Sequence, residues 1–126
     1  MTCQTFSARG NSSGDSEKEF DEVAWHGGNS KQMPHPVGEK KPNHFGIYDM
    51  HGNVWEWCED WHTKDYYASS PVNDPPGSPS GLGRVLRGGS SGNNPKNCRA
   101  AHRFSFSPTY QNRYGGFRIV VLPRRP

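Results

Sequence analysis

The chain has 126 residues, a net charge of +3 and 15 aromatic residues, four of them Trp, so it is one domain or part of one. Leu, Ile, Val and Phe total only 18, but the low net charge argues against disorder, and each buried aromatic removes roughly 150–250 Å² from water, enough for a small Trp- and Tyr-based core. No apolar run reaches the length of a membrane span or signal peptide, and the basic pairs Lys40-Lys41 and Arg124-Arg125 lie beside no base-stacking pattern, which disfavours a membrane or a nucleic acid as partner.

Taken in chain order, residues 1–20 are polar and read as a flexible leading segment, ahead of a single domain over 21–126. Trp25 and the turn cluster Gly27-Gly28-Asn29-Ser30 are followed by Pro34 and Pro36, which predicts little regular structure over 21–38. The apolar run Phe45-Gly46-Ile47-Tyr48 is stopped by a turn signature, Asp49-Met50-His51-Gly52-Asn53. Residues 54–60, VWEWCED, are rich in β-formers and predict a strand, with Trp55, Trp57 and Glu59 on one face. Residues 69–83 form a long surface loop. Arg84-Val85-Leu86-Arg87 is a short strand closed by Gly88-Gly89-Ser90, and residues 116–122, GFRIVVL, are the clearest strand of all, ended by Pro123. The 15 Gly and 11 Pro suit turns and disfavour long helices. Cys3, Cys58 and Cys98 lack CxxC spacing and read as packed thiols more readily than as a zinc site or a disulfide framework.

Residues 43–57, NHFGIYDMHGNVWEW, carry a resemblance. Together with RVLRGGS at 84–90, NCRAAHR at 97–103 and GFRIV at 116–120, in that order, they resemble the formylglycine-generating enzyme (sulfatase-modifying factor) family. The resemblance covers about residues 20–123 and implies a C-type-lectin-like fold: α+β with much irregular structure, short strands and long loops. Family domains are longer, and this chain resembles their C-terminal part.

The resemblance also bears on catalysis. The family's oxidases bind copper through two cysteines placed just after Gly-Gly-Ser; residues 91–97, SGNNPKN, contain none, and Cys98 alone does not supply two soft ligands. The chain is therefore expected to bind no copper and to be no enzyme. The six His show no metal-ligand spacing, and His51 and His62 near Glu56, Glu59 and Asp60 read as surface or hydrogen-bonding groups more readily than as acid–base machinery. The family also implies a calcium site before the Trp-Glu-Trp strand. Here its ligands would be the Asp49 and Glu56 carboxylates and the Gly52 and Val54 carbonyls, an oxygen set that suits a hard cation. The alternative is that Asp49 caps the turn and Glu56 pairs with an Arg.

Between residues 88 and 118 the framework of the family pattern persists, and ten positions depart from it: Ser91, Gly92, His102, Phe104, Ser105, Phe106, Thr109, Tyr110, Arg113 and Tyr114. Most fall where relatives carry Asn, whose codons AAC and AAT yield these residue types when their adenines are replaced. This resembles the variable protein of a diversity-generating retroelement. The implied function is a ligand-binding module, its variable loops contacting a protein or other macromolecule. Aromatics beside Arg113 and His102 have the composition of a binding hot spot, and Tyr, Ser and Gly that of adaptable paratopes. The alternatives are core packing for Phe104 and Phe106, a formylglycine-generating-enzyme-like oxidase or peptide-binding protein, and a carbohydrate-binding lectin. Arg99, Arg103 and Arg118 are expected to pair with Glu56, Glu59 or Asp60. Without a signal sequence, the expected compartment is the cytoplasm unless a preceding part directs export.

Overall fold

The computed structural model describes residues 17–73 and 75–121. A short helix, α1 (Glu17–Val23), precedes the strand β1 (Trp55–Trp61), a single helical turn α2 (Tyr66–Ser69), β2 (Arg84–Arg87), a 3₁₀ turn (Pro95–Asn97), β3 (Phe104–Phe106) and β4 (Gly115–Gly116). The four strands form one sheet in the order β3-β2-β1-β4, antiparallel except for β1 with β4. The rest is loop, as the Gly and Pro content predicts. Of the expected leading segment, residues 1–16 lie outside the described residues, and 17–20 open α1.

β1 and β2 form where the β-rich runs predict them, one residue later than expected for β1. Strict alternation on β1 fails, however. Trp57 pairs with Leu86 and Trp61 with Arg84, so four residues of β1 run beside two of β2 and the strand bulges. The bulge turns Cys58 inward at 7 % exposure beside Trp55 at 6 %, while Glu59 is exposed.

The expected strand over 116–122 is corrected. Only Gly115 and Gly116 pair, with Trp55 and Glu56 of β1. Arg118 then turns back to Glu56, and among the described residues no strand lies beside 117–121 to take up its backbone groups. Phe117, Ile119 and Val121 are consequently 76 %, 77 % and 85 % exposed. Residue 122 lies outside the described residues.

The buried apolar residues among those described are Ala24, Trp55, Cys58, Val85, Leu86 and Cys98, and nearly as many buried residues are polar: His26, Ser30, Asn53, Ser90 and Ser91. Such an interior holds only if its polar groups are bonded. Asn53 bridges the backbone of His35, accepting from its N–H at 2.9 Å and donating to its carbonyl at 3.0 Å. Ser30 donates to the Ser91 carbonyl at 2.6 Å, and Gly27 N–H to Asn93 at 2.8 Å. These bonds tie the 26–35 loop to the turn before β1 and to the Gly-Gly-Ser segment, and so fix the platform under β3 and its loop.

Candidate ligand-binding face

The segment that departs most from the family pattern forms the sheet's edge strand and the loop after it. β3 pairs with β2 through Phe106↔Arg84, Ser105↔Val85 and Phe104↔Leu86. Alternation therefore sends both Phe rings to one side, where their centroids lie 5.0 Å apart, edge to face. Phe104 stacks on the buried Trp55 at 5.6 Å, His102 tilts against the same ring at 5.7 Å, and Phe106 stacks on Tyr110 at 4.2 Å. The result is a continuous aromatic series anchored on Trp55. Phe104 remains 42 % exposed and Tyr110 47 %. Core packing and surface display thus both apply to Phe104: it covers Trp55 and still faces solvent.

The loop beyond β3 is shaped by Tyr110 N–H donating to Ser107 at 2.9 Å and by a Ser107–Thr109 hydroxyl contact at 2.9 Å. Thr109, Tyr110 and Arg113 are exposed. Tyr114 turns inward: its hydroxyl donates to the Gln32 carbonyl at 3.0 Å and its ring covers Gly92, where an added Cβ would sit 3.0 Å from the ring. Between this loop and the sheet opens a cleft of about 170 Å³, with Trp55, Trp57, Leu86, Phe106, Tyr110 and Gly115 among its walls.

Ser91 is the position that does not fit surface display. It is 0 % exposed, its N–H donates to Asn53 and its carbonyl accepts from Ser30, so it is a structural part of the platform. Its departure from the pattern is buried. Close by, Cys98 is fully buried, its thiol donating to the carbonyls of Ser90 at 3.6 Å and Asn94 at 3.7 Å. Burial pushes this thiol up to about 11, so at neutral pH it is protonated and a poor metal ligand. No disulfide joins it to Cys58.

Of the three arginines, Arg118 behaves as predicted. It grips both carboxylate oxygens of Glu56, donating to Oε1 from Nη2 at 2.7 Å and to Oε2 from Nε at 3.2 Å, and donates to the carbonyls of Tyr48 and Asp49. Arg99, just after the 3₁₀ turn, instead bonds the Lys96 carbonyl at 3.0 Å, and Arg103 lies over the Tyr67 ring at 4.7 Å, so neither takes up the expected pairing with Glu56, Glu59 or Asp60.

Asp49 and Glu56 were also the expected calcium ligands. Asp49, in a left-handed conformation (φ 55°), accepts from Gly38 N–H at 2.7 Å through Oδ2, while its Oδ1 is buried without a partner. That orphaned oxygen fits a cation; Glu56 is shared with Arg118. Among the described residues no cluster of three or more His, Cys, Asp or Glu side chains is placed to hold a metal.

A signal that the motif reading passes over is charge segregation. All 12 acidic residues lie at or before Asp74, whereas nine of the 15 Lys and Arg follow it. The face that carries β3 and its loop therefore belongs to a half of the chain with no carboxylate side chains. Consistent with this, burial first, then Arg99 and Arg87, holds the His102 imidazole below its usual range.

Fold and site together place the chain in a defined class: it belongs to the sulfatase-modifying factor enzyme 1-like domain family, whose model matches residues 5–122. Its scaffold is the C-type-lectin-like one of that family. A formylglycine-generating enzyme of Streptomyces coelicolor is 45 % identical over 88 residues, covering 68 % of this chain and 28 % of that protein. Treponema denticola variable protein 1 superposes with a TM-score of 0.75 at 42 % identity, over 84 % of this chain and 38 % of that one. PvdO from Pseudomonas aeruginosa follows with a TM-score of 0.66 at 31 % identity, over 76 % and 38 %. The chain thus spans between about a quarter and two-fifths of these relatives. It resembles both the enzyme family and a variable protein. No helix among the described residues is long and apolar enough to cross a membrane.

Proposed function

We propose that this chain is a binding module: a small polar-and-Trp scaffold that presents a diversified face to a protein or other macromolecule and carries out no oxidase chemistry. The observation that supports it most is the aromatic series of exposed Phe104 and Tyr110 with half-buried Phe106 between them, built on Trp55 at positions that depart from the family pattern. A series of rings beside exposed Arg113 has hot-spot chemistry, and the likeness to a variable protein points the same way. Against the oxidase reading, the segment 91–97 has no cysteine and the Cys98 thiol is raised by burial to about 11.

The test is the gene's surroundings. A near-copy of the DNA encoding residues 88–118, differing at adenines and next to a reverse transcriptase, is expected. Absence of any such copy removes diversification and leaves a static binder. Turnover of a cysteine-containing peptide in the presence of copper would instead restore the oxidase reading.

We further propose that Asp49 Oδ1, Glu56 and the Gly52 and Val54 carbonyls hold calcium, with a structural role that ties the turn to β1. Calcium is expected to raise the melting temperature relative to a chelator, and Asp49→Asn to abolish the difference. Identical melting curves with and without calcium would retire the site.

A further inference from the structure

We infer that the cleft beside β4 is a single-side-chain pocket, which takes one phenyl-sized apolar side chain from an acidic protein partner. The inference rests on the binding-module reading and gives the partner a chemistry.

Size sets the first limit. At about 170 Å³ the cleft is well below the range that encloses drug-sized ligands. It is close to an apolar cavity of roughly 150 Å³ that admits benzene. Its lining sets the second. The floor is framework, Trp55, Trp57 and Leu86, the last only 1 % exposed, while the outer wall is Phe106 and Tyr110, two of the departing positions, with the polar Gln111 and Asn112 beside them. A pocket with a constant apolar floor and a changeable outer wall keeps the ability to bury an apolar group while altering which one fits.

Charge sets the third limit. From residue 75 to the end of the chain there are nine Lys and Arg and no Asp or Glu. In space the β1 carboxylate nearest the cleft, Glu56, is held by Arg118, and Arg113 is exposed next to the Gln111–Asn112 wall, so the excess charge there is positive and attracts an oppositely charged partner from a distance. It is poorly arranged to clamp a phosphate backbone, because several guanidinium groups are already engaged. Arg87 donates to the Ala100 and Ala101 carbonyls and the Tyr67 hydroxyl, Arg118 holds Glu56, and Arg103 lies on Tyr67. An acidic protein surface needs only the field, with the apolar side chain supplying the contact.

The experiment titrates the full chain with blocked peptides Asp-Asp-X-Asp-Asp, where X is Ala, Leu or Phe, and follows the indole N–H signals of the four Trp by NMR. The Phe peptide is expected to bind about tenfold more tightly than the Ala peptide, the gain for burying a ring. Saturable shifts are expected at Trp55 and Trp57 but not at Trp25, and added salt should weaken all three peptides alike. Gly115→Leu should erase the Phe preference by filling the cleft. If Gly115→Leu fails to fold, the peptide series on the native chain decides. Equal affinity for X = Ala and X = Phe refutes the pocket and leaves the binding module standing on charge. Absence of any saturable indole shift also refutes it, and the gene-neighbourhood test then judges the module separately. Tighter binding of an oligodeoxythymidine than of the Phe peptide overturns the inference in favour of a single-stranded nucleic acid.

Discussion

His102 is tilted against the buried Trp55 ring at 5.7 Å. Burial, and then the charges of Arg99 and Arg87, disfavours its protonated form and holds its pKa below the ordinary 6.5. The fold therefore prefers the neutral ring, and the unfolded chain binds the extra proton. The stability this contributes is fully present above 6.5 and is lost as pH falls through the lower folded value. Thermal melts below neutral pH should thus decline more steeply for the native chain than for His102→Asn; matching declines would assign the pH dependence to other groups. Cys98 shows the same cause acting on an acid of the other kind. With its thiol raised to about 11 and fully buried, it should resist iodoacetamide under native conditions and react once the chain is unfolded. Rapid native-state labelling would contradict the placement of its sulfur.

At the scale of elements, the turn from Asp49 to Asn53 and the Gly-Gly-Ser segment are held together by backbone contact. Gly52 N–H donates to the Gly88 carbonyl at 2.7 Å, and both glycines have positive φ. They are not equivalent, however. A Cβ on Gly52 would lie 1.9 Å from the Trp25 carbonyl oxygen, whereas one on Gly88 meets nothing nearer than the Met50 carbonyl at 3.7 Å. Gly88→Ala should therefore cost only the left-handed backbone penalty of about 1–2 kcal/mol. Gly52→Ala adds a clash with backbone that has no rotamer to escape into, for a total of about 3 kcal/mol or more. Chemical denaturation of the two variants checks the ranking, and equal losses would mean that the Trp25 contact yields easily. The strand expected over 116–122 failed at this same scale. Its composition is right for β structure, but a strand is made by a neighbour's hydrogen bonds, and among the described residues only Trp55 and Glu56 offer them.

For the molecule as a whole, the platform and the displayed face divide the departing positions between them. Thr109, Tyr110 and Arg113 are exposed, so replacing each by Asn should change stability by no more than about 0.5–1 kcal/mol. Ser91, fully buried, belongs to the platform: Ser91→Phe places a ring where no volume exists and should cost about 3 kcal/mol or prevent folding. Melting temperatures of the two sets decide this, and a well-folded Ser91→Phe would mean that the segment at 91 repacks outward. The segregation of charge also operates over the whole chain. Its acid-free half lies beyond residue 74, so any binding through the β3 loop should weaken with salt, as measured by affinity at two ionic strengths.

The sequence by itself determined the family, the strands β1 and β2 and the aromatic pairing of Phe104 with Phe106, and for Arg118 it narrowed the partner to three acids, of which the structure selects Glu56. Each rests on local composition, on period-two geometry or on a motif whose residues are specific. Tertiary structure alone decided the rest. The bulge that buries Cys58, the inward turn of Tyr114 onto Gln32, the burial of Ser91 and the cleft over Leu86 join residues far apart in the chain. No periodicity records such contacts, because burial of a loop residue depends on which distant backbone groups close over it.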